Sequence, residues 1–100
     1  MAEMTIANSK MTHDNNSPHH AGNHFIVTGT LVPGDANVNY FRAAPSTGAV
    51  LYCHVENQTY EDTTVGVRIN ASDFSTASQG NVTFQGTVAD TYRFTAGIIL

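Results

Sequence analysis

Histidine is the side chain in this sequence best suited to ligand chemistry, and four of the five histidines lie near the N-terminus. These four are His13, His19, His20 and His24. The last two are four residues apart and would share a face only on a helix, which the neighbouring Pro18 opposes. Flexible histidine-rich stretches bind transition metals weakly. We therefore expect polar residues of an extended segment here, with no metal and no cofactor.

Carboxylates give no better basis for catalysis. Glu61 and Asp62 are adjacent in a polar loop, whereas a glycosidase needs two carboxyl groups facing each other across a sugar cleft. The sequence contains no phosphate-binding glycine loop, no nucleophile elbow and no zinc-protease helix motif. The chain is therefore expected not to be an enzyme.

Aromatic residues in two loops suggest a different chemistry, because a sugar can stack on an aromatic ring while nearby polar side chains bind its hydroxyls. The candidate ligand-loop residues are Tyr60, Asp62, Asp73 and Phe74. Packing in a core or an interface is the alternative for such aromatics. The absence of tryptophan weakens the sugar hypothesis.

Charge composition excludes two classes of partner. Charged residues make up 12% of the 100 residues, and the net charge is -4. Nucleic acids and anionic membrane surfaces both require clustered basic residues, and Lys10 is the only lysine. So few charges are unusual for a free cytosolic monomer. They fit an extracellular protein or one whose surface is covered by neighbouring subunits.

Cysteine and hydropathy set further limits. Cys53 is the only cysteine, so no disulfide can form within the chain. It lies in an alternating apolar run, which predicts a buried thiol, and the adjacent His54 is expected to be partly buried with a hydrogen-bond partner. No apolar run reaches the roughly 18 residues of a transmembrane helix, and the N-terminus lacks the apolar stretch of a secretory signal.

The sequence divides at about residue 23. Residues 1–23 are rich in Asn, Ser, His and Met and lack a clear period, which predicts an extended polar N-terminal arm. Ile6 and Met11 are its candidate anchors on a partner, with His13, His19 and His20 as further contact residues. A disordered tail is the alternative.

Residues 24–100 are expected to form the body. Apolar residues there alternate with polar ones, and β-branched and aromatic residues dominate, as in strands. The predicted strands are His24–Val32, Asn37–Ala43, Ala49–Glu56, Thr63–Asn70, Asn81–Val88 and Thr91–Ile99. The last two are predicted to form a hairpin around Ala89-Asp90. About six antiparallel strands with no helix indicate an all-β fold, a small β-sandwich or barrel.

The overall plan, an arm over Met1–Asn23 and a β-rich body over His24–Leu100, resembles that of the small decoration, or cement, proteins of tailed-bacteriophage capsids. The resemblance covers the plan and no residue motif. It implies a non-catalytic structural protein that stabilises a capsid shell through contacts of its arm and strand edges. It also implies self-association, for example as a trimer, a major capsid protein as partner, and a place in the virion after assembly in the host cytoplasm.

Two other functions fit the same residues. The first is a carbohydrate-binding module or lectin that uses the loops around Tyr60 and Phe74. The second is a subunit of an extracellular filament, which would account for a charge-poor surface.

Overall fold

The computed structural model describes residues 2–13, 24–34, 38–45, 48–61, 63–69 and 80–100. Every regular element within these residues is a β-strand, which confirms the predicted all-β class. The strands are β1 Ala2–Glu3, β2 Ile6–His13, β3 His24–Leu31, β4 Val38–Arg42, β5 Ala49–Asn57, β6 Thr63–Val65, β7 Arg68–Ile69, β8 Asn81–Gln85 and β9 Tyr92–Ile99.

The strands form two sheets that pack as a β-sandwich. One sheet has four strands in the order β1-β4-β8-β7, and the other has five in the order β2-β3-β9-β5-β6. Within the described pairs, all are antiparallel except the short parallel pair of β1 with β4.

The core follows from the alternation of side chains along the strands. On β9, Tyr92, Phe94, Ala96 and Ile98 are all buried and share one face, as a period of two requires. Opposite them, Phe41 of the four-stranded sheet is fully buried, and its ring centroid lies 4.6 Å from that of Phe94. This contact joins the two sheets at the centre of the core.

Strands that change sheets close both sides of the sandwich. On one side, β1 lies in the four-stranded sheet and β2 in the five-stranded sheet, and Met4 between them is only 5% exposed. On the other side, β6 and β7 are divided between the sheets in the same way. The predicted single strand Thr63–Asn70 is therefore wrong as one element, because the chain leaves the five-stranded sheet at Gly66-Val67 and enters the four-stranded sheet.

The predicted hairpin of the last two strands is also wrong. β8 pairs with β4 and β7, whereas β9 lies between β3 and β5 in the other sheet. The residues after Gln85 form an arch between the sheets. Gly86 permits this path, since a Cβ there would lie 2.5 Å from Cγ of Pro33.

Half of the predicted arm lies against the body of the same chain. Residues 2–13 form β1 and β2, while residues 14–23 lie outside the described residues. The sequence lacked an obvious strand period here because the side chains from Ala7 to Thr12 are all exposed, on both faces of β2. Backbone pairing with β3, rather than an apolar face, holds this strand.

Candidate functional site

The predicted arm residues occupy different environments on the sandwich. Ile6 is partly buried against the core, directly over Gly29, where a Cβ would lie 2.7 Å from its Cγ2 atom. Met11 is 55% exposed. The ring of His13 packs edge-on against Phe25, with the centroids 5.1 Å apart. Ile6 and His13 therefore contact their own body, and Met11 is the one of the three described arm residues that faces solvent.

The structure does not bring the described histidines together as a ligand set. His13 pairs with Phe25, whose side chain packs against the core, whereas His24 precedes Phe25 and faces the other way. His19 and His20 lie outside the described residues. Within the described ranges, no three His, Cys, Asp or Glu side chains are grouped as metal ligands.

Of the four predicted ligand-loop residues, the structure describes Tyr60, and Asp62, Asp73 and Phe74 lie outside the described ranges. Tyr60 is 61% exposed and lies on the turn that follows β5. The next residue, Glu61, has a positive φ of 56°, a conformation that costs energy for a residue with a side chain.

A chain of hydrogen bonds holds this turn against the β8–β9 arch. The side-chain amide of Asn57 donates to the carboxylate of Asp90 at 3.1 Å, and both residues are buried. The backbone N–H of Thr59 donates to Oδ1 of Asn57 at 2.9 Å. In turn, the N–H of Thr91 donates to Oγ1 of Thr59 at 3.0 Å. The exposed Tyr60 ring is therefore carried by a turn with a fixed backbone.

A charged group occupies the outer face of the five-stranded sheet. The Glu56 carboxylate accepts a hydrogen bond from Arg93, its cross-strand partner on β9, and contacts Nε2 of His54 at 2.9 Å. The hydrogen bond from Arg93, followed by the contact with His54, lowers the pKa of Glu56. The prediction for His54 was right about a partner and wrong about burial, since about half of its side chain is exposed.

An apolar group that the sequence did not identify lies at the other end of the same two strands. Leu51, Tyr52 and Leu100 are each roughly half exposed, at 53%, 45% and 46%. Tyr52 pairs with Gly97, and Ala49 pairs with Ile99, so all three exposed residues lie at one end of the β5–β9 ladder. We call these three residues the β5–β9 patch.

The reason for this exposure is a bulge. The register of β5 against β9 shifts between Val50 and Tyr52, which leaves Leu51 as an extra residue. Strict alternation would place Leu51 on the same face as Cys53 and the buried Val55, and the bulge turns it outward. No local sequence signal marks the bulge.

Two open depressions lie near the arch. One, of about 380 Å³, is lined by Glu3, Met4, Thr5, Ala7, Thr30, Leu31, Val32 and Gly34. The other, of about 470 Å³, has Gln85, Gly86, Thr87 and Val88 in its lining. Among these residues only Glu3 is an acid or base, and it already contacts Arg42 at 3.0 Å.

No family model, curated protein or solved structure matches this chain. Within the described ranges, no helix is long and apolar enough to cross a bilayer. The geometry that carries a functional proposal is thus the β5–β9 patch and, separately, the turn that bears Tyr60.

Proposed function

We propose that this protein is a non-catalytic structural component that docks on a larger protein assembly through the β5–β9 patch. In its specific form, the proposal is a decoration protein on the capsid of a tailed bacteriophage, with further copies of itself and a major capsid protein as partners. The virion is then its location, and an extracellular filament is the alternative setting.

The observation that carries the proposal is the grouping of Leu51, Tyr52 and Leu100. Single exposed apolar residues are normal on a soluble protein, whereas several exposed at one end of a sheet are typical of interaction sites. None of the side chains in Gly48–Tyr52 or Gly97–Leu100 is charged. The nearest described ion pairs on these strands centre on Glu56, which pairs with Arg93 toward the opposite end of the ladder, and their closest member, His54, lies two residues from Tyr52. Docking at the patch would therefore bury apolar side chains without removing a charged side chain from water.

The test begins with the neighbouring genes, one of which should encode a major capsid protein. Shells assembled from that capsid protein are mixed with the purified chain and sedimented. We expect the native chain to pellet with the shells and Leu51→Glu to remain in the supernatant. Thr64→Glu is the matched control, because Thr64 is also exposed and lies on the same sheet. Equal pelleting of the two variants would exclude the patch, and no pelleting of the native chain would reject the function.

A carbohydrate-binding function is the second candidate, and the exposure of Tyr60 favours it. A ring that is 61% exposed on a turn held by a chain of hydrogen bonds provides a platform with little conformational entropy to lose. The measurement is a glycan array followed by titration of any sugar found. Tyr60→Ala should abolish binding while Tyr52→Ala retains it, since Tyr52 is an exposed tyrosine on β5, far from the turn that bears Tyr60. The opposite pattern would remove the Tyr60 turn from consideration.

A further inference from the structure

We propose that residues 2–13, here called the N-terminal segment, exchange between copies of this chain. In the structure, the segment lies on its own body. In the exchanged form, each body receives the same segment from a second copy. The inference rests on the proposed assembly function, for which it names the element that joins the copies.

The first observation is how little of the segment is packed. Met4 is buried and Ile6 is partly buried, whereas every residue from Ala7 to Thr12 is exposed. The segment therefore attaches to the core through two neighbouring side chains. Beyond them, β2 is held by backbone bonds to β3, by the edge-on contact of His13 with Phe25, and by weak polar contacts such as that of Asn8 with Thr30 at 3.3 Å. Elements with few buried apolar contacts open at lower free energy than the rest of a fold.

The second observation is that the N-terminal segment does not pack closely against β3 along its whole length. The depression of about 380 Å³ runs between the segment and the end of β3 and is lined by both. The register of β2 shifts between Ala7 and Lys10, and Asn8 has a positive φ of 54°. The bulge leaves one residue of β2 unpaired and locally disrupts the ladder, so the exchange breaks fewer backbone hydrogen bonds than it would for a regular strand of this length.

The third observation is that the body offers a complete receiving surface. Two edges hold the segment, since β4 pairs with β1 and β3 pairs with β2. Met4 donates its backbone N–H to the carbonyl of Tyr40 at 2.8 Å, and Glu3 accepts from Arg42 at 3.0 Å. Each of these contacts joins the segment to the body. A segment from a second copy would therefore make the same strand pairings and hydrogen bonds. Exchange would then cost little free energy.

The length of the connection allows exchange. Ten residues, 14–23, separate β2 from β3, whereas a hairpin between neighbouring strands needs as few as two. Ten residues span up to about 33 Å when extended, and the molecule measures 39 × 31 × 20 Å. The segment of one copy can therefore reach the receiving surface of a copy beside it.

Two single-cysteine variants test the proposal, both with Cys53→Ala. Lys10 and Thr28 are direct partners in the β2–β3 register, at a spacing that suits a disulfide. One chain carries Lys10→Cys and the other, tagged to change its mass, carries Thr28→Cys. Neither chain has both cysteines, so neither can form the disulfide within itself. A disulfide between the two chains therefore shows that the segment of one copy lies on the body of the other. The matched control pairs Lys10→Cys with Thr95→Cys, since Thr95 lies one strand further away, beside Thr28.

After mixing and mild oxidation, we expect at least tenfold more mixed disulfide from the Lys10/Thr28 pair than from the control. Equal yields would overturn the exchange. A chain carrying both Lys10→Cys and Thr28→Cys distinguishes a failure of the exchange proposal from a failure of the proposed function. When its internal disulfide holds the segment in place, the chain should remain monomeric, and reduction should restore association. Association of the locked chain would reject exchange and keep assembly. A native chain that never associates with itself would reject exchange and leave docking on the shell to the pelleting test.

Discussion

The ring of Tyr52 on β5 lies across the backbone of Gly97 on β9, in the space that a larger side chain at position 97 would fill. A Cβ on Gly97 would lie 2.6 Å from Cζ of Tyr52. The two residues are direct partners in the β5–β9 register. Gly97 is therefore buried by a ring on the outer face of the sheet, and it sets the position of the only aromatic side chain in the β5–β9 patch.

This relationship predicts that the effect of Gly97→Ala on the free energy of unfolding changes sign when Tyr52 is also replaced. In the native background, Gly97→Ala should lower the free energy of unfolding by about 1 kcal/mol, because the ring must move. In a Tyr52→Ala background, the same substitution should be neutral or stabilising by about 0.5 kcal/mol, because alanine restricts the unfolded chain more than glycine does. Urea denaturation of the four proteins provides the values. An equal cost in both backgrounds would show that the ring and Gly97 are not coupled.

Alternation of apolar residues was sufficient to predict most of the fold. On β9 the buried residues Tyr92, Phe94, Ala96 and Ile98 are the four predicted for one face, and β3 begins at the predicted residue, His24. Alternation could not show which strands pair. Val82 and Phe84 have the same pattern whether β8 forms a hairpin with β9 or an arch to the other sheet, so the pairing was predicted wrongly.

The candidate site was less predictable, for two physical reasons. β2 has no apolar face, because it lies at the edge of its sheet as described and is held by its backbone. Leu51 is exposed because of a bulge, which changes the orientation of a side chain without changing the composition of the strand. In contrast, Tyr60 lies in a predicted loop, and its exposure fits the hypothesis of a surface aromatic rather than the alternative of core packing.

The buried pair of Asn57 and Asp90 predicts a loss of stability when one partner is removed. Asn57→Ala leaves the Asp90 carboxylate buried without its amide donor and also removes the acceptor of the Thr59 N–H. We expect a loss of about 2–3 kcal/mol, because desolvated polar groups are then unsatisfied. Gln58→Ala, at the next and exposed position, should change stability by less than about 0.5 kcal/mol.

Hydrogen exchange provides a second measurement for the same pair. The amides of Thr59 and Thr91 donate within the chain of bonds that begins at Asn57. In Asn57→Ala these two amides should exchange faster than the loss of global stability alone explains. Amides in the centre of β9 should lose protection only by the amount that the loss of global stability requires. Unchanged exchange at both threonines would mean that the turn bearing Tyr60 is held by other contacts.

Cys53 should be nearly inert in the folded protein. Its side chain packs against the core, and burial raises the pKa of the thiol to about 12. At pH 8 its thiolate fraction, and hence its alkylation rate, should be about a thousandfold lower than that of an unfolded cysteine. Mass spectrometry after iodoacetamide treatment, with and without urea, measures this ratio. Rapid labelling without urea would show that the edge of the core opens near β5.

Glu56 predicts how stability depends on acid pH. Its pKa is lowered from the ordinary value of 4.5 by the hydrogen bond from Arg93 and by His54. The folded protein therefore binds this proton less readily than the unfolded chain does. The stabilisation is present above pH 4.5 and is lost as the pH falls through the folded-state pKa. Because Glu56 is at the surface, the effect should be small and should weaken with salt.

Glu56→Gln should flatten the fall in stability below pH 4.5, measured as the midpoint of thermal unfolding at low ionic strength. Glu61→Gln, on the exposed turn after β5, is the matched control and should leave the slope nearly unchanged. Arg93→Gln removes the larger cause and should flatten the profile as Glu56→Gln does, whereas His54→Gln should flatten it less. A profile that is equally steep in Glu56→Gln would place the acid sensitivity of the fold at another carboxylate, because the amide that replaces this carboxylate binds no proton in that pH range.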